Sequence, residues 1–212
     1  MSYRLIECAQ GTQEWLEART GVITASRFKD AVDVLKNGTP SAKSVSYAAQ
    51  VAIERISRAP SDEGFTTWQM RRGSELEPMA RMEYEVSTGN LASESGIALT
   101  EDGVFGYSTD GFVGDDGLIE IKCPASPEKI VAMWATGDLS EYIHQIQGGL
   151  WITGRKWCDF IMYCPQLEPV RKQLFLRRVE RDDNFIDDMV EKLLAFKARV
   201  DANEEILRKE AA

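Results

Sequence analysis

A mixed α/β fold, with a central mixed sheet flanked by helices, is predicted by three observations. Apolar residues recur at helical spacing before residue 90. Short alternating runs then cluster between residues 97 and 123. Helices and two further strands follow, ahead of a long amphipathic C-terminal segment. Interleaved periodicities of this kind belong to chains in which helices cover the faces of a sheet.

Each element follows from local chemistry. A helix is predicted over 12–19, with Trp15, Leu16 and Arg19 on one face. Thr24-Ala25-Ser26 offers hydroxyls suited to capping a second helix. Residues 36–43, KNGTPSAK, read as a polar loop. A helix over 45–57 turns Val45, Ala48, Ala52, Ile53 and Ile56 inward, and a longer one over 66–87 carries Trp68, Gly73, Leu76, Glu77, Ala80 and Tyr84. Pro78 warns of a break or a start there, because proline lacks the N–H of the helical ladder. Strands are predicted near 97–100, 104–109, 111–114 and 118–123, then helices over 126–136 and 140–153, then strands over 157–163 and 173–180. The last helix, 183–209, has an apolar stripe of Phe185, Met189, Leu193, Phe196 and Val200. The whole reads as a single domain over 1–212: N-terminal helices over 12–89, a catalytic sheet with helices over 97–180, and the C-terminal helix.

Composition removes several classes. No run of about 18 apolar residues exists, so no membrane span is expected. The start, MSYRLIECAQG, lacks the basic and apolar regions of a signal peptide, and a cytoplasmic setting is expected. The cysteines at 8, 123, 158 and 164 have no CxxC spacing and read as free buried thiols; with His144 the sole histidine, a zinc site is not expected. The net charge of −9 argues against nucleic acid at long range. Much of the acidity, however, lies at Glu168, Glu180, Asp182, Asp183, Asp187, Asp188 and Glu191. A basic track within an acidic exterior is therefore expected.

The chemistry concentrates in residues 106–124, GYSTDGFVGDDGLIEIKCP. Strand residues two apart share a face, so Glu120 and Lys122 project together. The FVGDDGL turn folds the chain back and sets Asp110 opposite them. Ile119, Ile121 and Cys123 flank the charges as in an interior strand, where a carboxylate and an ammonium are costly unless paired or bound to metal. Two carboxylates and a lysine suit phosphodiester hydrolysis with a divalent metal. The carboxylates hold a hard cation such as Mg²⁺ through oxygen, and the lysine orients or deprotonates the attacking water. The plain alternative is a solvated strand face beside an Asp-Gly turn, a pattern that arises by chance in acidic chains.

Four further features accompany this one. Arg19 and Ser26, in WLEAR followed by GVITAS, make an anion pocket of guanidinium, hydroxyl and free N–H groups, or merely a capped helix. Glu77 sits between Gly73 and Pro78, an odd setting for a solvated glutamate. Ser108 lies two residues before Asp110, on the same strand face. Gln145 and Gln147, followed by Gly148 and Gly149, are polar groups aimed at a site or buried amides with satisfied bonds.

Together W-x3-R-x-G-V-I-T-A-S, G-x3-E, S-x-D-G, E-x-K-C-P and Q-x-Q-x3-W, in order over about 9–153, resemble the lambda-exonuclease (YqaJ-type) phage recombination nucleases. The D…E-x-K pattern is that of the PD-(D/E)xK superfamily, with its restriction-endonuclease-like core. The resemblance implies a processive metal-dependent enzyme that degrades one strand of linear double-stranded DNA from the 5′ end. It would release 5′-mononucleotides and leave a 3′ single-stranded overhang. It implies two Mg²⁺ per site, with Mn²⁺ as a substitute, a homotrimer ringed around DNA, a phage single-strand annealing protein as partner, and a phage or prophage origin in a bacterial cytoplasm. By the same resemblance Asp110, Glu120 and the Ile121 carbonyl bind metal, with Glu77 acting directly or through water. Lys122 is the catalytic lysine, Gln147 is the motif glutamine, and Arg19, Ser26 and Ser108 grip a 5′-phosphate. Two departures stand out. Thr100 occupies the position of a further family acid, with Glu101 and Asp102 nearby, and only Lys36 or Lys43 offers a counterpart to a basic loop residue that enters DNA. Two rival readings stay open: an endonuclease of the same fold, and a nonhydrolytic DNA-end-binding subunit.

Overall fold

The computed structural model describes residues 3–61 and 68–209. In chain order the elements are β1 (Tyr3–Ile6), α1 (Gln13–Arg19), β2 (Ile23–Thr24), a 3₁₀ turn (Ala25–Arg27), α2 (Phe28–Ala31), α3 (Ala42–Ser57), α4 (Trp68–Thr88), β3 (Ala92–Ser93), β4 (Ile97–Thr100), β5 (Phe105–Ser108), β6 (Gly111–Val113) and β7 (Gly117–Lys122). Then come α5 (Pro127–Thr136), α6 (Ile143–Thr153), β8 (Trp157–Tyr163), a 3₁₀ turn (Pro165–Val170), β9 (Leu174–Glu180) and α7 (Asp183–Arg208).

The architecture is mixed α/β, but the strands form two sheets rather than one, ordered β1-β4-β5-β2 and β3-β6-β7-β8-β9. The chain leaves the first sheet at Ser108 and enters the second at Gly111. Thr109 forms the changeover: its hydroxyl lies 3.0 Å from the Gly111 carbonyl and accepts the Gly111 N–H at 3.2 Å. Asp110 is thereby placed at the seam between the sheets. β7 and β8 pair in parallel, from Gly117↔Trp157 to Lys122↔Met162. A parallel pair needs a crossover, which α5 and α6 supply. β7 is covered on both faces, which explains its nearly unbroken apolar run. Leu118 belongs to the main core with α3, α6 and α7, whereas Ile119 and Ile121 belong to a smaller core with Ala80 and Tyr84 of α4.

Several expectations are corrected. On α3 the buried face is Tyr47, Ala48, Val51 and Ala52, while Val45, Ile53 and Ile56 are exposed. The alanines let α7 approach closely, and Tyr47 stacks on Phe196 with centroids 5.2 Å apart. On α7 it is Ile186 that joins the buried stripe, and Phe185 packs half-buried against His144. Thr24 and Ser26 cap no helix by side-chain hydrogen bonds; their hydroxyls lie 3.4 Å apart. α4 runs through Pro78 without ending, and its expected start at residue 66 lies outside the described residues. The four cysteines are free, but Cys8 and Cys123 are only half-buried. No helix among the described residues is long and apolar enough to cross a membrane.

The two adjacent glycines of α6 let it lie close against its neighbours. A Cβ at Gly148 would come 2.6 Å from the Phe28 ring, and one at Gly149 would come 2.6 Å from the Tyr107 ring. α6 is thus seated directly on α2 and on β5.

Candidate active site

The end of β7 supplies the centre. Alternation turns Glu120 and Lys122 to the side facing α6, and the Lys122 Nζ donates to Glu120 Oε1 at 2.5 Å. Glu120 is 1% exposed. It accepts two further bonds, from the Tyr107 hydroxyl at 2.9 Å and from Gln145 Nε2 at 2.6 Å. Asp110 reaches across the seam, where its Oδ2 accepts the Ile121 N–H at 2.6 Å.

The electrostatics follow from burying like charges together. Burial and the Glu120 charge push the Asp110 carboxyl well above the usual carboxylate range, against the pull of Lys122. Burial works to lower the Lys122 ammonium, but Glu120 and Asp110 outweigh it and hold it above its ordinary value. Burial, with the Glu120 charge, keeps the Tyr107 phenol well above its usual value, so it remains a donor. Glu77, carried by α4, is raised by burial, with Arg81 acting against it.

Among the described residues no three His, Cys, Asp or Glu side chains gather into a metal site on their own. The donor set nevertheless fits a hard cation. Asp110 and Glu120 are oxygen donors whose mutual repulsion a cation would relieve, and Glu77 adds a third negative charge felt by both. The remaining ligands would be main-chain carbonyl and water, as such cations accept.

Arg19 and Ser108 are joined through Trp15. The Arg19 guanidinium lies 4.0 Å from the Trp15 ring centroid, and Trp15 Nε1 donates to Ser108 Oγ at 2.9 Å. Arg19, Ser26 and Ser108 line the same cavity, of about 960 Å³, as Glu77, Asp110, Glu120, Ile121 and Lys122. Lys129 also borders it, and Arg27 and Arg81 border the adjoining cavity, but Glu77, Asp110, Glu120 and Glu141 line the first and Glu7, Glu54 and Glu94 the second, so the lining mixes both signs and the expected basic track does not emerge among the described residues.

Gln147 is not brought to the carboxylates. Its Nε2 donates to the Glu180 carbonyl at 2.8 Å and its Oε1 accepts the Asp182 N–H at 3.0 Å, so the amide ties α6 to the end of β9 and the start of α7. Residues two apart on a helix face different ways, and Gln145 is the one on Glu120. Thr100 and Asp102 lie outside the site: Asp102 accepts the Thr100 hydroxyl at 2.6 Å and the Val104 N–H at 3.0 Å, closing the turn between β4 and β5. Lys36 and Lys43 are exposed, in the loop before α3 and in its first turn. Sequence reasoning missed Tyr107, for which no local signal exists. It also missed the supporting role of Trp15, whose spacing four before Arg19 was the available signal.

The model of the YqaJ-like viral recombinase domain matches residues 14–156. No curated protein sequence matches. Among solved structures, the alkaline exonuclease LHK-Exo from Laribacter hongkongensis is 39% identical, with a TM-score of 0.82 over 93% of this chain and 96% of its own. LHK-Exo in complex with dAMP gives a TM-score of 0.83 over the same shares. A phage-related exonuclease from Haemophilus somnus 129PT, 17% identical, shares the fold with a TM-score of 0.68 over 88% of this chain and 96% of its own.

Proposed function

The chain belongs to the YqaJ-like viral recombinase family, and on that premise we propose that it is a Mg²⁺-dependent, processive 5′-to-3′ exonuclease acting on linear double-stranded DNA. Its role is that of a nuclease in phage-type recombination. The observation that carries the finer reading is the shared cavity, in which Asp110, Glu120 and Lys122 lie beside Arg19, Ser26 and Ser108. A terminal phosphate on Arg19 and the two serines sets the scissile bond at the carboxylates. Asp110 and Glu120, with the Ile121 carbonyl and Glu77, would hold the metal, which when bound polarises the phosphate and activates water. Lys122, kept cationic by Glu120, orients the attacking water and offsets charge that builds on the phosphate. Tyr107 and Gln145 hold one oxygen each of the Glu120 carboxylate, so that it does not rotate when the substrate arrives. Each cut exposes a new 5′-phosphate, which the same pocket takes up, and mononucleotides leave one at a time. The 3′ strand is left for a single-strand annealing protein.

The test is hydrolysis of end-labelled linear duplex with and without a 5′-phosphate, beside covalently closed circles. The expected result is mononucleotide release, faster from the phosphorylated end, with circles intact. Cutting of circles would make the enzyme an endonuclease, and equal rates on both ends would remove the phosphate pocket.

A further inference from the structure

We propose that Arg81 is a positioning residue that holds Glu77 against the metal-binding carboxylates; the inference rests on the metal-dependent reading given above. Glu77 and Arg81 are one turn apart on α4. Arg81 Nη2 donates to Glu77 Oε1 at 3.0 Å, while Nη1 meets Glu94 Oε1, between β3 and β4, at 2.6 Å. An exposed helical pair of this spacing contributes little, but this one is not exposed. The Arg81 side chain is 12% exposed and that of Glu77 26%, against 80% for Glu94. Arg81 Nε, also buried, has no partner among the described residues, a cost that ordinary surface pairing does not explain.

Glu77 needs such a restraint. It feels the charge of Glu120 and adds to the charge on Asp110, so repulsion drives its carboxylate away from the place where a third oxygen ligand is useful. Arg81, at hydrogen-bond distance, offsets that repulsion with a positive charge and fixes the orientation of the Glu77 carboxylate, and its planar fork spans two carboxylates at once. The helix itself is pinned separately. Arg72 Nη1 donates to the Cys123 carbonyl at 2.7 Å and to that of Pro124 at 3.3 Å, just after the catalytic strand. Arg72 thus sets where α4 lies, and Arg81 sets where Glu77 points.

The test is Mn²⁺ affinity of the DNA-free protein, by calorimetry, for wild type, Arg81→Ala, Arg81→Lys, Glu77→Gln and the Glu77→Gln/Arg81→Ala pair, with melting curves for each. Arg81→Ala should weaken Mn²⁺ binding by about 10–100-fold, as loss of an outer partner of a ligand does. Arg81→Lys should restore part of it. In the Glu77→Gln background the Arg81 change should add less than about twofold, because coupled residues are not additive. Wild-type affinity in Arg81→Ala, or an equal loss with and without the Glu77 carboxylate, overturns the inference. Should Arg81→Ala fail to fold, the same comparison runs with Arg81→Lys alone and in the Glu77→Gln background. A wild-type protein that binds no Mn²⁺ removes the metal reading and this inference with it; one that binds Mn²⁺ no better than Arg81→Ala removes the inference alone.

Discussion

Glu120 accepts three donors and Asp110 only one among the bonds described, so their removal should have opposite effects on stability and the same effect on chemistry. Glu120→Gln leaves the Lys122 ammonium without its nearest counter-charge and should cost about 1–3 kcal/mol. Asp110→Asn keeps an acceptor for the Ile121 N–H and removes a crowded charge, so the metal-free protein in chelator should melt higher. Both, and Lys122→Ala, should lower hydrolysis by at least about 10²–10³. Melting curves and single-turnover rates check the pair together, and near-normal turnover in any of the three excludes that residue from the chemistry. At the neighbouring pocket, Arg19→Ala should abolish preference for a 5′-phosphate, and Arg19→Lys should not restore it, because an ammonium lacks the guanidinium fork. Competition between phosphorylated and unphosphorylated duplex reads this directly. The convergence of Asp110, Glu120 and Lys122 was legible because strand alternation is a rigid rule. Gln147 was chosen over Gln145 by resemblance, whereas it is Gln145 that meets Glu120, because helical phase depends on where α6 meets its neighbours.

α4 is held to the second sheet from its rear as well. Tyr84 is fully buried and its hydroxyl donates to Asp159 Oδ2 at 2.8 Å, while Arg178 grips both Asp159 oxygens at 2.8 Å. The Tyr84 phenol, ordinarily near 10, is pushed up to about 12 by burial and by its bond to Asp159. A folded value above the unfolded one means that this group's contribution is whole below pH 10 and is lost as pH rises from there through about 12. Tyr84→Phe should therefore cost about 1.5 kcal/mol at neutral pH and flatten the decline of stability above pH 10. Denaturant curves at both pH values check it, and an unchanged alkaline slope would assign the decline to other groups. Most elements were legible to within a few residues, since their apolar periods are long. β1, β2 and β3 were not, being only two to four residues long and defined by their pairing. On α3 the alanines outranked the larger Val45, Ile53 and Ile56 because close approach of α7 requires small side chains.

At the scale of the whole molecule the net charge of −9 remains to be reconciled with DNA. The acids of α7 are largely exposed, the Asp183 side chain at 75% and that of Asp188 at 63%, whereas arginines and lysines stand among the acids that line the cavity. A homotrimeric ring that turns α7 outward and its cavities inward would carry the α7 acids away from DNA. Light scattering should give a mass near three times the 23.8 kDa chain, and a stable, processive monomer would exclude the ring. Mixed α/β architecture was legible from composition and order. The division into two sheets was not, because it depends on Thr109, whose bonds to the next strand no pattern announces. The glycines of α6 have a further consequence. Gly148 presses on Phe28, next to the turn that carries Ser26, and Gly149 presses on Tyr107, which holds Glu120. One helix, with no side chain intervening, fixes the interval between Ser26, the proposed end of the phosphate pocket, and Glu120, the proposed metal ligand. On the proposed function the fragment length would then be a dimension of the fold, as the gap of a caliper is set by its frame.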